Sequence, residues 1–163
     1  ATLVWLLTYH PFALLLLFLV YRHDPLLGLW IILVSKSCDI GGYLGGRKYG
    51  RHALAPRISP GKTWEGSAAG IAMSALVAAG LFPWLAGPTL PEAARSSLGL
   101  VAAAGALLGV LSLWGDLFES ALKRWARVKD SGSWLPQYGG VLDVIDSLLW
   151  AGPVCYLILQ WLA

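Results

Sequence analysis

Long apolar runs dominate the chain, and short polar stretches rich in Gly and Pro separate them. The runs predict five helices, over Leu3–Tyr21, Leu26–Gly41, Glu65–Leu85, Leu98–Arg127 and Gly140–Leu162. Most hold about the twenty apolar residues that cross bilayer hydrocarbon, and the second is the shortest. Pro25, Pro56, Pro60, Pro83, Pro88, Pro91 and Pro136 all fall at or near the proposed ends. The stretch Ala68–Gly80 is rich in Gly, Ala and Ser, which permits close helix packing in lipid. The expected fold class is all-α, a polytopic transmembrane helix bundle with about five spans.

Composition supports the bilayer. Only 13% of the 163 residues are charged and 57% are hydrophobic, whereas soluble domains carry roughly 25% charged residues. Nine Trp and six Tyr suit anchoring at membrane interfaces. Leu3–Val20 has no basic segment before it and no small-residue cleavage site after it, so it reads as a spanning helix rather than a signal peptide. The chain starts on Ala1 and enters a hydrophobic run at once. It is therefore expected to be a single membrane-embedded domain, residues 1–163, that lacks N-terminal helices of a longer protein. Cys38 and Cys155 have neither metal-ligand spacing nor a disulfide framework and read as small buried residues.

Charge placement then orients the bundle. The connection Tyr43–Lys62 and the region Lys123–Gly139 hold nine of the twelve Lys and Arg residues. By the positive-inside rule both are cytoplasmic. Asp24 and Glu92 fall in the outer connections. The other seven acids, Asp39, Glu65, Asp116, Glu119, Asp130, Asp143 and Asp146, fall at or near the inner ends of helices or in an inner loop. Asp39, Glu65 and Asp130 taken singly read as helix-end residues as readily as functional ones.

Spacing singles out the others. Asp116, Glu119, Ser120, Lys123 and Arg127 line one face of the fourth helix. Asp143 and Asp146 share a face in the first turns of the fifth helix, at a depth matching Asp116. Acids near membrane depth are costly and usually face a watery cavity with a function. Three carboxylates at one depth repel unless a cation lies among them, and a divalent ion with oxygen ligands is the simplest candidate. The connection GGYLGGRKYGRHALAPRISPGKTWEG, Gly41–Gly66, mixes glycines with five basic residues. Such a loop can bring backbone N–H groups and counter-charge to a phosphate, or it can simply touch anionic headgroups. Pro56 stands where a P-loop would need its first Gly, and His52 reads as structural or exposed.

The stretch SALKRWARVKDSGSWLPQYGGVLDVID, Ser120–Asp146, closely resembles the signature of phosphatidate cytidylyltransferases. Ser120, Lys123, Arg124, Lys129, Asp130, Pro136, Gly139, Gly140, Asp143 and Asp146 match it in spacing. GDLFES, Gly115–Ser120, is similar to that family's metal-carrying helix, and LAPRISPGKTWEG, Leu54–Gly66, to its SPxKTxEG loop. Two positions depart: Tyr138 stands where the signature has His, and Val144 where it has Arg.

The resemblance implies transfer of a cytidylyl group from CTP to phosphatidate, giving CDP-diacylglycerol and pyrophosphate, in phospholipid biosynthesis. It implies Mg2+, with a second metal ion allowed, held by Asp116, Asp143 and Asp146. Lys62, Lys123, Arg124 and Lys129 would hold phosphates, Asp130 would orient a lysine, and Ser59 and Ser120 would donate hydrogen bonds. The expected partners are CTP, phosphatidate or a similar anionic lipid, and the bilayer; nucleic acid is not expected and a homodimer is allowed. The expected location is a bacterial inner membrane, with the site on its cytoplasmic side. A related CTP-dependent enzyme with another lipid acceptor and an ion-coupled transporter are the alternatives.

Overall fold

Asp24 separates the first two helices. Its Oδ1 accepts the Leu26 N–H at 2.9 Å, and Pro25 follows in the first helical position, where a missing N–H costs nothing. The N-terminal helix α1 (Thr2–His23) thus turns directly into α2 (Pro25–Tyr49). This is a computed structural model; it describes the backbone of residues 2–85, 97–128 and 142–162, with side chains over 9–85, 97–128 and 145–157.

Helix α2 does not stop near Gly41 as expected. It continues to Tyr49 and ends at Gly50, whose N–H reaches the Gly46 carbonyl at 2.9 Å. The next helix, α3 (Trp64–Leu85), explains the difference. A Cβ on Gly41 would come within 2.6 Å of Met73 Cβ, one on Gly45 would overlap Ala69, and one on Gly70 would lie 2.6 Å from the Cys38 carbonyl oxygen. The glycines are therefore helical and bring two backbones together, as small residues do between helices in lipid. They do not form a phosphate-wrapping loop.

The rest of the expected loop is ordered as well. An antiparallel hairpin, β1 (Ala53–Ala55) and β2 (Ser59–Thr63), pairs Ala53 with Thr63 and Ala55 with Ser59. Pro56 and Pro60 hide it in the sequence, because proline argues against strand. Strand β2 runs straight into α3. Thr63 Oγ1 caps that helix by accepting the Gly66 N–H at 3.1 Å.

Helix α4 (Leu98–Trp125) packs on α3 through Gly105 and Gly109, which meet Ala78 and Ser74. The Ser74 hydroxyl donates to the Val34 carbonyl at 3.0 Å, and Trp30 Nε1 donates to the Ala78 carbonyl at 3.1 Å, so α2 and α3 are also hydrogen-bonded. Helix α4 ends where Arg127 takes the left-handed conformation (φ 59°), with Val128 N–H on the Lys123 carbonyl at 2.9 Å. That is a Schellman ending, two residues earlier than expected. The last helix, α5 (Leu142–Leu162), lies against α4 and α1.

The apolar core, including Val20, Leu27, Trp30, Ile31, Val34, Phe82 and Leu108, fills the half of the bundle remote from the hairpin. Five helices appear among the described residues, over the five predicted apolar runs. Among the described residues, three are long and apolar enough to cross a membrane: Pro25–Tyr49, Trp64–Leu85 and Leu98–Trp125. The described apolar stretch of α5, Ile145–Leu157, is shorter. The all-α membrane bundle stands, with three qualifying spans among the described residues.

Candidate functional site

Helical periodicity puts Asp116, Glu119, Ser120 and Lys123 on one side of α4. Helix α5 brings Asp146 to the same place. One carboxylate oxygen from each of Asp116, Glu119 and Asp146 lies within 4.8 Å of the others. Glu119 and Asp146 are buried, and Asp116 is half-buried. Gly115 sets this approach. A Cβ there would stand 2.6 Å from the Asp146 carbonyl oxygen, 2.9 Å from Trp150 Cδ1 and 3.1 Å from Ser147 Cα. Gly115→Ala is therefore expected to push α5 away and spread the three acids. Activity should fall at least about tenfold with a stability loss of about 1–3 kcal/mol, since forced overpacking costs that much. Enzyme assay alongside a thermal melt in detergent checks both.

Each of the three carboxylates meets an ammonium from a different part of the chain. Lys62 of β2 pairs with Asp116. Lys123, one turn along α4, lies 3.4 Å from Glu119. Lys36 of α2 is 3.9 Å from Asp146, 3.2 Å from Asp39 and 2.8 Å from the Ser147 hydroxyl. Beside this cluster opens a cavity of about 210 Å³, walled by Asp39, Gly42, Tyr43, Gly61, Lys62 and Asp116 among others.

The hairpin that carries Lys62 is tied down at both ends. Glu65 accepts the Arg51 and His52 N–H groups at 3.1 and 3.2 Å, and its other oxygen meets His52 Nδ1 at 2.6 Å. At the turn, Arg124 Nε donates to the Ile58 carbonyl at 3.2 Å. One role of Arg124 is thus to brace the hairpin. His52 is exposed and structural, as its surroundings in the sequence indicate. Cys38 is buried against the Gly109 carbonyl at 3.3 Å and packs as a small residue.

The sequence-selected residues fall into three groups. Asp116, Asp146, Lys62 and Lys123 come together. Ser120 lies half-buried one turn beyond Asp116, while Ser59 starts the strand that ends near Lys62, paired with Ala55. Lys129 and Asp130 lie outside the described residues. So does the side chain of Asp143, whose backbone stands in α5 three positions before Asp146.

Three residues of the cluster were not chosen as site residues from the sequence. Among the described residues Glu119 completes the trio, and its signal was the three-residue step from Asp116. Asp39 read as a helix-end residue as readily as a functional one, and Lys36 stood near the inner end of the second predicted helix. A set of close, partly buried carboxylates is a hard oxygen donor set and fits a divalent cation such as Mg2+, Mn2+ or Ca2+. The lysines around it fit phosphate groups.

An apolar helix bundle with a charged, cation-competent cleft at one end defines a helical membrane protein with a polar site. Sequence comparison identifies its family. The profile of the Cytidylyltransferase family matches residues 1–162, and the chain belongs to that family. Phosphatidate cytidylyltransferase of Haemophilus influenzae is 42% identical over 137 residues, covering 82% of this chain and 46% of that protein. The enzyme of the same name from Bacillus subtilis is 44% identical over 127 residues, 78% of this chain and 45% of that protein. That of Pseudomonas aeruginosa is 40% identical over 133 residues, with 82% and 46% covered. The chain thus spans less than half the length of these relatives. With its apolar helices, it is an integral membrane protein.

Proposed function

We propose that this chain is the catalytic part of a phosphatidate cytidylyltransferase, forming a single membrane-embedded unit that transfers a cytidylyl group from CTP to phosphatidate. The observation that carries the reading is the meeting of Asp116, Glu119 and Asp146 with Lys62 at one end of an apolar bundle. A nucleotide and a lipid headgroup are both polyanions, and joining them demands charge neutralisation at membrane depth.

In this reading a phosphate oxygen of phosphatidate attacks the α-phosphorus of CTP. The new P–O bond forms as the α–β bridge breaks, and pyrophosphate leaves with the electron pair. The attacking oxygen is already anionic, so no side-chain nucleophile is needed. Catalysis then rests on positioning and electrostatics. Asp116, Glu119 and Asp146, with Asp143 as a further candidate ligand, would hold Mg2+, which supplies Lewis-acid neutralisation of phosphate oxygens when bound. Lys62, Lys123, Lys129 and Arg124 bind the triphosphate and the lipid phosphate. Ser59 and Ser120 donate hydrogen bonds, and Asp130 orients a neighbouring lysine.

The basic residues crowded at this end favour a cytoplasmic site at a bacterial inner membrane. CTP then arrives from the aqueous side, and the lipid arrives laterally from the adjoining leaflet. Membranes containing the full-length protein, given labelled CTP, phosphatidate and Mg2+, are expected to form labelled CDP-diacylglycerol. Absence of product would overturn the proposal. A labelled product that appears only with a different lipid phosphate would keep the chemistry and change the acceptor, the part that Tyr138 and Val144 bear on.

A further inference from the structure

Lys36 is the unusual charge of α2. A lysine inside an apolar helix ordinarily extends its stem toward water. This one turns its ammonium onto three oxygen-bearing side chains of two helices: Asp39 at 3.2 Å, Ser147 at 2.8 Å and Asp146 at 3.9 Å. Its side chain is 31% exposed and that of Asp146 only 7%. The pair is thus shielded from water on the acid's side, where a charge acts more strongly than at an open surface. We propose that Lys36 is a positioning residue acting through Asp146 and Asp39, and that its charge sets the balance of the site between cation and anion. The inference rests on the reading of the site as one for a divalent ion and a nucleotide.

Among the described residues, Asp39, Asp116, Glu119 and Asp146 face Lys36, Lys62 and Lys123, so four carboxylates meet three ammonium groups. A divalent cation reverses the sign of that balance and lets the cleft attract a polyphosphate. Lys36 opposes the cation and favours the anion. Removing its charge therefore has opposite effects on the two ligands. A role as a simple tether between α2 and α5 behaves differently: its loss displaces Asp146, a ligand candidate, and weakens both.

The full-length protein in detergent is titrated with MgCl2 alone, and the half-saturating concentration is read from the thermal-shift curve. KM for CTP is then measured with Mg2+ in excess. Lys36→Met is expected to lower the Mg2+ midpoint about tenfold and to raise KM for CTP about tenfold, effects of the size that a unit charge exerts on nearby ions at a partly screened site. Lys36→Arg should return both values toward those of the parent protein. Asp39→Asn removes a negative charge instead and should move both values the other way, which carries the test if Lys36→Met does not accumulate. Parallel weakening of both ligands, or no change in either, overturns the inference. No Mg2+ response in the parent protein overturns the reading on which it rests, and the inference with it; a parent response with no opposed shift in the variants overturns the inference alone.

Discussion

Asp116→Asn is expected to lower CDP-lipid formation by about a thousandfold in kcat/KM, the scale of losing one key electrostatic group from a preorganised site. Asp116 belongs to both halves of the candidate site. It contributes an oxygen to the acidic trio and it pairs with Lys62 of the hairpin. Asparagine keeps the shape but removes the charge, so it weakens the candidate metal site and leaves the Lys62 ammonium without its counter-ion. The fold should survive. The paired side chains are 21% and 30% exposed, and a partly solvated ion pair contributes about 1 kcal/mol or less. Purified variant with a near-parental melting temperature and turnover lowered on that scale is the expected result. Turnover within about tenfold of the parent would remove Asp116 from the mechanism.

Gly45→Leu is expected to have the largest effect on stability, more than about 3 kcal/mol, enough to abolish accumulation in a marginally stable protein. Any Cβ at this position runs into Ala69, and its neighbour Gly66 has a Cβ site only 2.7 Å from the Gly42 carbonyl oxygen. Neither contact ends in a flexible side chain, so the two helices must separate. Separation would also move Asp39 and Lys36 on α2 away from α5. Gly80→Ala is the matched comparison on α3, because a Cβ there meets nothing within 4 Å. It should be neutral or stabilising by up to about 1 kcal/mol, the helix-propensity difference between Gly and Ala. Thermal melts of both variants in the same detergent decide whether the glycines act by packing. Equal melting temperatures would show that they do not.

These two cases also show where sequence reading succeeds and where it stops. The apolar runs announced the helices because burial in lipid requires nearly continuous apolar length. Asp116 and Lys123 were legible because helical spacing alone puts them on one face. The glycines of α2 were ambiguous. Gly41 and Gly45 stand four apart, as do Gly66 and Gly70 on α3, a helix-packing pattern, but Gly in abundance also marks a loop, and only the partner helix distinguishes the two. The hairpin was missed because prolines mask a short strand pair held by Glu65 just beyond it and by Arg124 from a distant part of the chain. Glu119 was seen on the face but not chosen, because its closeness to Asp146 depends on how tightly α5 lies against Gly115.

By itself, the sequence determined that this protein is an all-α membrane bundle with its charges gathered toward one end, and its motifs pointed to its family. Local chemistry suffices for that, since hydrophobic length, periodicity and motif order are properties of neighbouring residues. The tertiary structure alone decided that Lys36 and Lys62 each meet one carboxylate of a trio drawn from two helices. Such pairing joins residues as far apart as 36 and 146. It depends on the distance between backbones, which is fixed where glycine-lined seams let the helices close.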